Sequence, residues 1–264
     1  MSEAPQAVEA VHAAYIQSGA NVITSNSYAV VPFHIGEEGF AAEGQALAAL
    51  AGELARRAVE ASGKSVRVAG SLPPLFGSYR PDLFQPQRVA ELLTPLVQGL
   101  SPYVDLWLAE TQSSIAEARA IQAGLPKDGK PFWLSFTLKD EDTDDVPRLR
   151  SGEPVAEAAE AAAQLGVQVL LFNCSQPEVI GDAIDAARQT FERLGVQIEV
   201  GANAFPPQPK EATANDGLDP LRDDLDPPGY LHWAADWHAR GASHLGGCCG
   251  IGPEHIAVLA QTLR

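Results

Sequence analysis

Short apolar runs alternate with longer Ala-, Leu- and Glu-rich segments along the whole chain. The short runs are rich in β-branched residues and read as strands over 22–25, 66–69, 105–108, 132–137, 167–172, 198–201 and 243–246. The longer segments carry helical spacing and read as helices over 4–18, 44–62, 87–100, 114–122, 154–165, 178–194 and 253–263. Gly19, Gly166, Gly195 and Gly241 each stand between a helix and the next strand, where the left-handed turn that ends a helix favours a residue without Cβ. Pro253 falls in the first turn of the last helix, where its missing N–H has no intrahelical partner to lose.

Strand, helix, strand in repetition predicts parallel pairing through right-handed crossovers. The strands are apolar at nearly every position, as expected when helices cover both faces. Their ends are polar or small: Ser25-Asn26-Ser27, Gly70-Ser71, Glu110-Thr111, Asn173-Cys174, Asn203 and Gly247-Cys248. A doubly wound sheet gathers its chemistry at one switch point, usually with a Gly-rich phosphate loop. No GxGxxG or P-loop follows any of these strands. A (β/α)8 barrel instead places chemistry at the C-terminal ends of many strands. The pattern therefore predicts an α/β fold of the (β/α)8 TIM type, as a single domain over residues 1–264. Seven strands are found, and the chain opens with a helix, so the barrel is expected to lack its first strand. Such an opening would expose the edges of the two flanking strands.

Two segments read as loops. Residues 139–145 form an acidic run, ordinarily just a solvated surface. Residues 206–229 are rich in Pro, Asp and Gly and lie on the chemistry-bearing side, which suits a lid. The strand spacing is irregular, as in βαβ units rather than a solenoid.

Composition narrows the function. The 264 residues hold 34 Asp and Glu against 18 Lys and Arg, a formal net charge of −16. No basic cluster is present to meet phosphates, so neither nucleic acid nor an anionic membrane is an expected partner. No apolar run approaches a bilayer span, and the first residues lack the pattern of a secretory signal, so the expected compartment is the cytoplasm.

Only three cysteines occur: Cys174, Cys248 and Cys249. That set is no disulfide framework. Each falls at a strand end, and the last two sit inside Gly246-Gly247-Cys248-Cys249-Gly250, where glycine lets the backbone turn sharply. On one barrel rim, three thiolates would make a zinc site with Zn–S near 2.3 Å and one open position. Two other readings stand beside it: buried inert thiols, and a vicinal disulfide between Cys248 and Cys249. His244 lies within a predicted strand and need not point at the rim. Three thiolates on Zn²⁺ leave a site of charge −1, a poor maker of hydroxide but a good holder of another thiolate. A thiol with pKa of about 8.5 is mostly protonated at neutral pH, and zinc removes that limit.

These motifs resemble the homocysteine S-methyltransferase family. The matching segments are Gly19-Ala20-Asn21-Val22-Ile23-Thr24-Ser25-Asn26-Ser27-Tyr28, Ala69-Gly70-Ser71-Leu72-Pro73-Pro74, Glu110-Thr111 with Ser114-Ile115-Ala116-Glu117-Ala118, Asn173-Cys174-Ser175, and the Gly-Gly-Cys-Cys-Gly run. The resemblance spans nearly the whole chain. It implies a (β/α)8 barrel that binds Zn²⁺ through Cys174, Cys248 and Cys249, with homocysteine sulfur as fourth ligand. The implied reaction is attack of that thiolate on the methyl group of a sulfonium donor, S-methylmethionine or S-adenosylmethionine, giving methionine. No catalytic residue beyond the zinc site is implied, because alignment governs a direct displacement. Glu110 matches the position that binds the substrate amino group, which suits a carboxylate. Asn26, Ser71 and Asn203 are further expected lining residues, and Tyr28 would bound the donor side. The expected partners are these small molecules alone.

Two departures stand out. The family opens with a strand ending in Asp-Gly-Gly, and this chain starts in the helix after it. Around Asn203 the family has Tyr-Pro-Asn, where this chain has Gly201-Ala202-Asn203-Ala204-Phe205. A catalytically impaired relative that binds zinc or an amino acid without turnover is the alternative these departures keep open.

Overall fold

The computed structural model describes residues 1–140, 146–203 and 222–263. Its strands are β1 (Val22–Thr24), β2 (Arg67–Leu72), β3 (Leu106–Gln112), β4 (Phe132–Phe136), β5 (Val169–Asn173), β6 (Glu199–Asn203) and β7 (His244–Leu245). They form one sheet in sequential order, every neighbouring pair parallel. Each strand falls where the apolar runs place it, and β2, β3, β5 and β6 continue past the expected bounds into the polar ends, β2 by three residues and β3 by four.

The helices are α1 (Pro5–Gln17), α2 (Pro32–Ile35), α3 (Glu37–Ser62), α4 (Val89–Leu100), α5 (Ile115–Gly124), α6 (Val155–Gln164), α7 (Pro177–Leu194), α8 (Pro227–Ala239) and α9 (Pro253–Thr262). Helix α8 corrects the loop reading at the end of 206–229. Pro227, Pro228 and Gly229 look like breakers, yet Pro227 opens the helix, and the Asp226 side chain accepts from Gly229 N at 2.9 Å as its N-cap. Helix α3 begins at Glu37, earlier than the periodicity suggests, because Gly39 and Gly44 interrupt the apolar stripe. The remainder of the two predicted loops, 141–145 and 206–221, lies outside the described residues.

The sheet is curled. Side chains alternate across a strand, so each face collects every second residue. Ala69, Leu106, Leu108, Trp133, Val169 and Leu171 form their own small apolar cluster on one face. The larger core lies on the other face, between sheet and helices. On the inner face, the Trp133 ring of β4 meets the His244 ring of β7 at 4.8 Å, three strands away. The Arg67 guanidinium of β2 covers the same Trp133 ring at 4.9 Å. Such contacts span a sheet only when it bends around them. The two ends of the sheet are also tied: Tyr15 of α1 donates to Ile251 O at 2.8 Å, just before α9.

Candidate functional site

One step beyond the inner apolar cluster, the same alternation reaches Ser71, Glu110, Ser135 and Asn173. Polar side chains thus succeed the apolar ones at the C-terminal ends of β2 to β5. They are bonded to one another rather than left to water. Ser71 Oγ donates to Glu110. Ser135 Oγ donates to Asn173 Oδ1 at 2.6 Å.

Asn173 organises the rim. Its Oδ1 also accepts from Thr111 N at 3.1 Å, and its Nδ2 donates to Thr111 Oγ1 at 2.8 Å and to Cys174 Sγ at 3.3 Å. All four hydrogen-bonding positions of the buried amide are filled, so its orientation is fixed. The β3 ladder shifts register between Ala109 and Gln112, a bulge that turns Thr111 toward Asn173.

Backbone strain is concentrated here. Among the described residues, the non-glycine positions with positive φ are Tyr79 (63°), Thr111 (59°) and Cys174 (51°). Each such residue costs on the order of 1–3 kcal/mol and persists where its surroundings over-determine it. Cys174 is held through its carbonyl, which accepts from Thr137 Oγ1 at 2.9 Å and Arg150 Nη2 at 3.3 Å.

The thiols meet across the sheet. Cys174 Sγ, buried at the end of β5, lies 3.0 Å from Cys248 Sγ in the turn after β7. No disulfide joins the three cysteines. The Cys248 thiol hydrogen-bonds Cys174 and Cys249, and these contacts, with burial, push its pKa well up. Cys249 itself is exposed. The turn is tight: a Cβ on Gly247 would stand 2.2 Å from Ile251 Cγ2. Among the described residues, no three His, Cys, Asp or Glu side chains are already grouped as a metal cage. The structure therefore joins two of the expected thiols closely and leaves the third at the edge of the cluster. His244 stays on the inner face against Trp133, its Nδ1 3.1 Å from Glu199 Oε2, and takes no part.

The other expected residues divide. Glu110 and Ser71 are bonded neighbours, and burial raises the Glu110 carboxyl pKa. No Lys, Arg or His among the described residues pairs with Glu110. Asn26 is exposed and stands outside this network, whose β1 side is carried by Ser25 and Ser27. Asn203 stands opposite Asn173 in the β5–β6 register. Tyr28 bonds Ser78 at 2.6 Å and has its pKa raised by burial and by Cys174.

Sequence reasoning missed Tyr79, Ser135, Thr137 and Arg150. Tyr79 hydrogen-bonds Cys174, and burial first, then Cys174, raises its pKa. Ser135 had a usable signal, a polar residue inside an apolar strand, at the same alternate position as Asn173. Tyr79 and Arg150 are isolated loop residues and had none.

A curled parallel sheet with thiols, carboxylate and amides on its C-terminal rim defines an α/β enzyme with a thiol-centred site. The family model described as homocysteine S-methyltransferase matches residues 1–263, and the chain belongs to that family. It is 26% identical to homocysteine S-methyltransferase 4 of Zea mays, over 100% of this chain and 81% of the relative. It is 25% identical to a selenocysteine methyltransferase of Astragalus bisulcatus, over 98% of this chain and 83% of the relative. The metallated form of the homocysteine methyltransferase MmuM from Escherichia coli superposes with a TM-score of 0.74 at 26% identity, over 97% of this chain and 84% of that one. No helix among the described residues is long and apolar enough to cross a membrane.

Proposed function

We propose that this chain transfers a methyl group from a sulfonium donor, S-methylmethionine or S-adenosylmethionine, to the thiol of homocysteine. We assign Cys174, Cys248 and Cys249 as the protein ligands of one Zn²⁺, on a (β/α)8-type barrel rim. The observation that carries this reading is the approach of Cys174 and Cys248 to 3.0 Å from distant strands, with Cys249 bonded to the same thiol. The donor set fits, since an all-thiol cluster selects a soft, thiophilic ion. Bound there, zinc supplies a means of keeping a substrate thiol deprotonated at neutral pH.

The remaining tasks fall to the chain. Asn173 Nδ2 donates to Cys174 Sγ, which fixes the direction of that sulfur. Glu110, raised by burial and without a cation partner among the described residues, is suited to receive the substrate ammonium, which would return it to its ionised form. Ser71 Oγ orients that carboxylate. Asn26 and Asn203 are assigned to the outer pocket, with Tyr28 on the donor side.

The test is zinc content together with methionine formation from homocysteine across a panel of methyl donors. Zinc near one per chain with turnover is expected. Zinc without turnover would show the impaired relative, and a metal-free protein that gains a Cys248–Cys249 disulfide would show a redox protein. Glu110→Gln is expected to raise KM for the amino-acid acceptor by about 10–100-fold, the value of a charge-assisted hydrogen bond of about 1.5–3 kcal/mol. An unchanged KM would remove Glu110 from the site.

A further inference from the structure

We propose that Arg150 is a positioning residue that locks the strained Cys174 backbone in place and so presets the thiol site. This rests on the assignment of Cys174 as a metal ligand. Arg150 ties the segment after β4 and the loop that carries Tyr79 to the end of β5. Its Nε donates to Thr137 Oγ1 at 3.2 Å, and its Nη2 donates to Asp140 Oδ2 at 2.8 Å and to Cys174 O at 3.3 Å. Its guanidinium covers the Tyr79 ring at 4.8 Å. Asp140 Oδ1 in turn accepts from Gln176 N at 2.8 Å, two residues beyond Cys174. The clamp therefore touches two of the three positive-φ residues, Tyr79 and Cys174, and holds the backbone that follows Cys174 at two points, Cys174 O and Gln176 N.

Arg150 is itself well placed to act this way. It stands in a short antiparallel return, with bridges Leu138–Leu149 and Arg148–Pro154. Its own N donates to Thr137 O at 3.2 Å, and Ser151 N donates to Ser113 O at 3.0 Å. The Arg150 and Asp140 side chains are each only 13% exposed, so this is no solvated surface pair. A planar fork that bonds and stacks at once is a task that lysine cannot copy.

Removing Arg150 alone would strand the buried Asp140 carboxylate, so the informative variant is the double Arg150→Met/Asp140→Asn. Zinc affinity is read by competition with a chromophoric chelator. The double variant is expected to bind zinc at least about tenfold more weakly, the usual effect of losing a residue that orients a metal ligand. Arg150→Lys is expected to lose a similar factor, and Asp140→Asn clearly less. A second readout needs no metal. The alkylation rate of Cys174 relative to Cys249 in the metal-free protein should rise in the double variant, because the turn that buries the Cys174 sulfur opens more readily without its brace. Unchanged zinc affinity and alkylation in the double variant would overturn the proposal. So would an Asp140→Asn loss equal to that of the double. If the double variant does not fold, Arg150→Lys decides by the same two readouts. If the unaltered protein binds no zinc, the metal assignment fails, and the alkylation ratio still decides the clamp.

Discussion

The two arms of the thiol site are built in opposite ways. The β5 arm presents Cys174 from a buried, strained turn in which Asn173 uses every hydrogen-bonding position, and Thr137 and Arg150 hold the Cys174 carbonyl. The Ser175 hydroxyl continues the pattern, accepting from Leu138 N at 2.8 Å and donating to Asn173 O at 2.9 Å. The β7 arm leaves a strand of two residues, His244–Leu245, and presents Cys248 half-buried and Cys249 exposed. Its turn is tied mainly through backbone: Gly246 N to Ala202 O at 3.1 Å and Ile251 N to Cys248 O at 3.2 Å. Tyr230 also donates to Gly246 O. The lesson is a division of labour. One arm is part of the folded core and sets direction, while the other is a glycine turn that brings two thiols to it. Damage to the first should cost folding and metal together, and damage to the second should cost metal far more than stability.

The largest expected effect separates the arms at once. Cys174→Ser and Cys249→Ser should each abolish zinc binding and turnover, but only Cys174→Ser should lower the Tm of the metal-free protein. Equal Tm losses would break the comparison. Asn173→Ala comes next. It orphans Thr111 N and the Ser135 hydroxyl in a buried rim, and should cost about 2–4 kcal/mol in urea unfolding. A loss below 1 kcal/mol, about the value of one ordinary hydrogen bond, would show that the network does not stabilise the fold.

A pH dependence follows on the same side of the molecule. Glu117 caps α5 by accepting from Ser113 N at 2.7 Å and Ser114 N at 2.9 Å. Burial pushes its carboxyl pKa up to about 7, against an ordinary 4.5. The folded state therefore holds the proton more tightly than the unfolded chain. Its stabilising share is fully present below about pH 4.5 and is lost as pH rises through about 7. The loss amounts to up to about 3 kcal/mol. Urea midpoints measured over that range should fall with rising pH, and Glu117→Gln should flatten the slope. A slope that survives in Glu117→Gln would assign it to another group.

The smallest expected effect lies in the β7 turn. Gly247→Ala must displace Ile251, whose Cγ2 would stand 2.2 Å from the new Cβ. Overpacking of this kind should cost about 1–2 kcal/mol in stability. Zinc affinity should fall more steeply than stability, because the turn carries two thiols and little of the core. A stability loss as large as that of Asn173→Ala would erase the distinction.

Much of this was legible in the chain. Apolar runs with polar ends located all seven strands and the rim where the polar side chains gather, since the alternation that builds the inner apolar cluster carries on into those ends. Helix α8 was not legible, because proline and glycine are ambiguous until the Asp226 cap is seen. The rim network was only half legible. Asn173 and Ser135 follow from alternation, but the Thr111 bulge breaks that period, and exposed Asn26 shows that alternation ends with the strand. Tyr79 and Arg150 reach the site from loops, where no period places a side chain.

The sequence alone determined the order of the strands, how many thiols the chain carries, and the polar layer above the inner apolar cluster. These depend on local periodicity and on which residue types occur at all. Tertiary structure decided which thiols meet, how Cys174 is held in a left-handed turn, and which cation braces it. Those outcomes depend on the curl of the sheet, which brings residues more than seventy positions apart, such as Cys174 and Cys248, to hydrogen-bond distance.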